Sequence, residues 1–227
     1  MTPKKDVLAT ILSQQDIYLA NTDVEDYILS PLLDEINYIQ THSIKNFVRS
    51  MLLKVEHFWQ IPAHFDETNR FMPDENIISG NVLHTKRVFR TLKVMLESYS
   101  IDPIDEDIAY AAAILHDITK GIVTVDYNPE YDPFHAYTVD KLYTEVNKYD
   151  QKYTAENQSS TLYIEEENVQ KILRLIRCHM GPWSPIPETY PVDELEMMLH
   201  YANRIAHSLA YIVDGDEIVE ARWQINV

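Results

Sequence analysis

Four glycines in 227 residues leave this chain few places to turn tightly with positive φ, which steers it away from folds built on many short hairpins. Leu, Ile, Ala, Glu and Lys recur instead at three- and four-residue spacing, the period of helices with one buried face. The sequence therefore predicts an all-α protein of seven or eight helices. Val24 to Ile39 places Ile28, Leu32, Leu33, Ile36 and Ile39 on one stripe, and Ile44 to Trp59 repeats the pattern with Phe47, Met51, Val55 and Phe58. These two are expected to pack together. Gln60 to Gly80, with Pro62 and Pro73, reads as a long ordered loop or lid. Val82 to Leu96 resumes the helical period with Val88, Leu92 and Met95, and the apolar run Ile108 to Ile118 follows an acidic start at Pro103, with Lys120-Gly121 as its stop. A second loop is expected over Val123 to Pro133, a helix from Phe134 or His135, and a polar connection over Lys152 to Ser160. Val169 to Met180 then forms a helix stopped by Gly181-Pro182, and Val192 to Val213 a long final one. The tail from Glu217 reads as a short strand or ordered coil. Three regions result: a helical extension over 1–60 packed on the core, a main domain over 61–213, and a tail over 214–227.

The charge balance narrows the function. With 36 acidic against 19 basic residues, a formal net charge of −17 and a pI near 4.8, the chain lacks the cationic surface that general duplex-DNA binding requires. A phosphate-bearing substrate would have to be held locally. The single cysteine, Cys178, rules out an intrachain disulfide, and Met1 leads into Thr-Pro-Lys-Lys-Asp without an apolar signal segment, so a reduced, cytoplasmic setting is expected. No apolar run approaches the roughly 18 residues of a membrane helix, and no membrane association is expected.

The chemistry concentrates in Ala-Ala-Ala-Ile-Leu-His116-Asp117-Ile-Thr-Lys120. An imidazole and a carboxylate at the end of an apolar helix are costly to leave unpartnered, and together they suit a hard or borderline divalent cation. His84, His135 and His179 stand at or near other expected helix ends or inward stripes. His42, His57 and His64 read as ordinary surface or core histidines. Lys120, four residues after His116, falls on the same helical face.

That order, His84, His116-Asp117, His135, His179 and a late helix at Tyr201-Ala-Asn-Arg-Ile-Ala, resembles the HD superfamily of metal-dependent phosphohydrolases from Pro62 to Ala210. Ile61-Pro-Ala-His-Phe, continuing to Ser79-Gly-Asn-Val-Leu-His84-Thr, is also similar to the approach to the first histidine in HD-type 3′-5′ exoribonucleases and related phage-borne HD proteins. Ile176-Arg-Cys-His179-Met-Gly-Pro-Trp-Ser fits the same group. The resemblance implies an HD-type helical bundle, one metal held by His84, His116, Asp117 and a ligand from the Tyr201 segment, and a second sharing Asp117 with His135 and His179. One or two ions of Mn, Ni, Co, Mg or Fe would serve.

Asn203 departs from the family pattern, which has aspartate there. It reads as a weakened ligand in a working enzyme, as the mark of a site that binds without turnover, or as a bystander whose place His200 or His207 takes on the same helical face. Cys178 reads as a small buried residue. A competent centre would activate water for attack on phosphorus, with Asp117, Lys120 and Arg87 as catalytic groups, Lys120 or Arg87 steadying phosphate oxygens. Trp183 and Tyr137, with Tyr127, Tyr131 and Phe134 nearby, could stack on a base. The expected substrate is a nucleotide or a short single-stranded nucleic-acid end. An HD-type diiron oxygenase and a catalytically impaired nucleotide-binding module are the alternative readings.

Overall fold

The computed structural model describes residues 22–55, 57–63, 75, 77–120, 143–144, 164–184, 186–207, 211–214 and 217–220. Among them, helices α1 (Thr22–Leu29), α2 (Leu33–Tyr38), α3 (His42–Leu53), α4 (Gly80–Leu96), α5 (Pro103–Leu115), α6 (Glu166–Cys178) and α7 (Glu194–Ala206) precede strands β1 (Tyr211–Asp214) and β2 (Glu217–Glu220). The core is all-α.

The centre is α5. Asp102 caps its start by accepting from the Ile104 amide at 3.0 Å, Pro103 sits in the first turn where no amide donor is needed, and Ile108 to Leu115 are buried throughout. A helix apolar on every side must be surrounded. Its alanines at 109 and 111–113 keep it thin, and α2, α3, α4 and α6 all pack against it. Helix α7 packs on α4 and also meets α6 and α5.

Four expected elements differ. The helix expected over Ile44 to Trp59 ends at Leu53, and His57–Trp59 form a separate 3-10 turn. Val24 to Ile39 is interrupted by the 3-10 turn Ser30–Leu32, because Pro31 cannot continue the hydrogen-bond ladder. The buried stripe consequently runs through Leu29, Leu32, Ile36 and Ile39, while Ile28 and Leu33 are half-buried. The final helix stops at Ala206 rather than Val213, and the chain continues into an antiparallel pair, Tyr211↔Glu220 to Asp214↔Glu217. That pair packs on α4, so the boundary expected at 213 falls inside β1. The apolar helix at the centre ends at Leu115, leaving His116 as its C-cap and Asp117 to Lys120 in the turns beyond.

The approach to α4 is tightly specified. Ser79 adopts a left-handed φ of 66°, and its hydroxyl donates to Trp59 O at 2.7 Å. Gly80 lies so near Glu75 that a Cβ would come within 1.8 Å of the Glu75 carbonyl oxygen, which itself accepts from the Ala63 amide at 2.8 Å. Only glycine fits there.

Candidate metal centre

Helix ends and two positions inside helices bring the chemistry together. His84 projects from α4, His116 and Asp117 follow the end of α5, His179 caps α6, and Asn203 lies on α7; all five are buried. His84 Nε2 stands 3.0 Å from Asn203 Oδ1. His116 Nε2 is 3.6 Å from Asp117 Oδ2, and His179 Nε2 is 3.9 Å from Asp117 Oδ1. The rings of His84 and His116 meet edge to face at 5.3 Å, as do those of His116 and His179 at 5.2 Å.

Backbone carbonyls set the imidazole protons. His116 Nδ1 donates to Ala113 O at 2.8 Å and His179 Nδ1 to Ile176 O at 2.6 Å, so each Nε2 keeps its lone pair toward the cluster. Burial pushes the His116 imidazole down to about 3, against the pull of Asp117 and with the His179 and His84 rings adding to the depression. It is therefore neutral at ordinary pH. Burial alone would raise the Asp117 carboxyl, but Lys120, then His116, His179 and His84, hold it well below the usual carboxylate range. Lys120 Nζ reaches Asp117 Oδ2 at 2.5 Å.

These residues fit a cation. His116 Nε2 is buried with no hydrogen-bond partner among the described residues, which a ligand atom facing an ion would explain. Ligand atoms of His84, His116 and Asp117 lie within 4.8 Å of one another. The 3.0 Å between His84 Nε2 and Asn203 Oδ1 is also the spacing of two atoms sharing one ion, since bonds of about 2.1 Å put neighbouring ligands about 3.0–3.4 Å apart. A neutral His116 imidazole and an ionised Asp117 carboxylate are the protonation states a divalent cation requires.

Other expected residues fall into place differently. His135 and Tyr137, with Tyr127, Tyr131 and Phe134, lie outside the described residues. Trp183 lies in the 3-10 turn Gly181–Trp183 that follows His179. Arg87 Nη1 bonds Glu75 Oε1 at 2.5 Å. His200 Nδ1 donates to His179 O at 2.9 Å, and its ring fills the space a Cβ on Gly181 would need, 2.4 Å away, so it ties α7 to the end of α6. His207 stacks on His84 at 4.1 Å. Cys178 is buried, and burial pushes its thiol up to about 12, as befits a packing residue. Glu75 was not expected: its Oε2 lies 3.5 Å from His84 Nδ1, and with His84 and His207 it forms a second group within 4.8 Å. One acidic residue among 36, inside an aperiodic loop, carries no signal in the sequence.

A helical bundle that gathers histidines and an aspartate from separate helices defines a class of metal-binding proteins. Within that class, the HD-domain family model matches residues 82–214, and the chain belongs to the HD domain family. Members of this family are in general metal-dependent hydrolases that bind divalent metals. No curated protein and no solved structure matches the chain. Among the described residues no helix is long and apolar enough to cross a membrane.

Proposed function

We propose that this protein is a phosphohydrolase that cleaves a phosphoester of a nucleotide or of a single-stranded nucleic-acid end, using one or two divalent cations. The observation that carries this reading is the buried meeting of His84, His116, Asp117 and Asn203 from three separated stretches of chain. A bound divalent cation supplies Lewis acidity and lowers the pKa of water toward neutrality. His84, His116 and Asp117, with the Asn203 amide oxygen, would hold the first ion. Asp117 offers opposite oxygens to His116 and to His179, which suits a carboxylate shared with a second ion on the His179 side, where His135 would complete the set. Lys120, in contact with Asp117 and still partly open to solvent, would hold a phosphate oxygen and offset its charge. Trp183 and Tyr137 would flank the base. The resemblance of Ser79 to Thr85 to HD-type exoribonucleases and phage-borne HD proteins supports a nucleotide-like substrate, and the acidic surface supports local capture over duplex binding.

Asn203 favours one second reading, a nucleotide-binding module without turnover, because an amide lacks the charge of the aspartate typical of the family. Mn²⁺-dependent hydrolysis of a phosphodiester and a nucleotide panel, by this chain and its Asn203→Asp variant, separates the two. Turnover by both is the expected result. Turnover by the variant alone would mark the chain as an impaired relative, and silence in both with ligand-dependent stabilisation would make it a binding module. His116→Ala and Asp117→Ala are expected to abolish metal uptake with circular dichroism unchanged; full occupancy in either would overturn the site.

A further inference from the structure

The imidazole of His84 is held differently from its neighbours. His116 and His179 are C-cap residues, where carbonyls one turn back have lost their helical donors, and each ring uses one of them. His84 is the fifth residue of α4, where the preceding carbonyls bond the helix itself. Asn81 O there also accepts Thr85 Oγ1 at 2.9 Å. An acceptor for His84 Nδ1 has to come from another segment.

Glu75 supplies it. Its Oε2 lies 3.5 Å from Nδ1 with both side chains fully buried, and a movement of about half an ångström makes an ordinary N–H···O bond. Oε1 takes Arg87 Nη1, and the backbone of Glu75 is clamped by Ala63 and by the close approach of Gly80. We propose that Glu75, held by Arg87, is a positioning residue for His84: it accepts the Nδ1 proton's hydrogen bond and so commits Nε2 to the metal centre beside Asn203. This rests on the metal-centre reading above. Glu75, His84 and His207 are close enough to hold an ion themselves, but that ion would sit beside the Arg87 guanidinium, whose charge opposes it.

The test measures Zn²⁺ affinity and stoichiometry by chelator competition for the full chain, Glu75→Gln and Glu75→Ala, with melting curves to verify folding. Nitrogen-15 NMR of the histidines in the zinc-loaded wild type is recorded alongside. Expected are a proton on His84 Nδ1, affinity weakened on the order of 10- to 100-fold in Glu75→Ala, a loss in Glu75→Gln as well, whose one amide oxygen cannot stand at both the His84 and the Arg87 positions, and unchanged stoichiometry. Equal affinities in three folded proteins, or zinc on Nδ1, would overturn the positioning role. Loss of one equivalent of zinc in Glu75→Gln would make Glu75 a ligand instead. A wild type that binds no zinc would remove the metal-centre reading and this inference with it, whereas the other outcomes leave the centre standing.

Discussion

At the residue scale, the proton on His116 is decided by burial. An unfolded imidazole titrates at ~6.5, whereas burial pushes the folded one down to about 3. Between those values the unfolded chain binds a proton that the folded chain does not. Stability of the metal-free protein should therefore fall as pH drops from ~6.5 toward 3, by at most about 1.4 kcal/mol per pH unit for this one group. Asp117, held low in the folded state, adds a further loss once the pH falls below the unfolded carboxylate value of ~3.9. Urea midpoints with chelator present at pH 7, 6 and 5 check this against His116→Gln, which should lose the part of the slope that belongs to His116; identical slopes would sink the assignment. The place of His116-Asp117 at the end of the central helix was legible because an imidazole and a carboxylate follow an unbroken apolar run. Glu75 was not, because its value comes from lying beside His84, and no spacing in the chain encodes that approach.

At the scale of elements, termini carry more of the specification than interiors. Thr41, which precedes α3, makes no side-chain cap. Asp107 of α5 does this from 66 residues away, accepting from the amides of Gln40 at 2.9 Å and Thr41 at 2.7 Å while itself buried. Asp107→Ala should cost about 1–3 kcal/mol, because two amides lose a charged acceptor. Denaturant unfolding measures it, and Asp107→Asn, which still accepts, should recover part of the loss; a cost near zero would show that water replaces the carboxylate. Helix α7 is specified locally instead: Asp193 accepts from the Glu196 amide at 2.8 Å and Glu196 from the Val192 amide at 2.7 Å, with Arg174 bonded to the same carboxylate. The misread element was the end of this helix. Tyr211-Ile-Val continues its apolar content, and a short apolar run has no period that separates helix from strand. Gly215-Asp216 between two β-branched stretches was the available hairpin signal.

At the scale of the molecule, the candidate ligands come from residue 84 on α4, 116–117 just past the end of α5 and 203 on α7, three helices that pack on one another. The unfolded chain holds no such site, so binding should be linked to folding. Saturating Mn²⁺ or Zn²⁺ at about 100 times its Kd should stabilise the protein by about 2.7 kcal/mol, read as a rise in Tm that His116→Ala abolishes. A rise of equal size in that variant would place the ion elsewhere. What lies in the chain alone is the helical class, the central apolar helix, the His116-Asp117 pair at its end, and the histidines at 84 and 179. Composition, period and caps act over a few residues and so are written locally. The break at Pro31 is local too, since proline itself ends the ladder, but packing decided the rest: the hairpin against α4, Asp107 capping a distant helix, and Glu75 behind His84. Each depends on distances between segments far apart in sequence, which exist only when α4, α5, α6 and α7 close around one core.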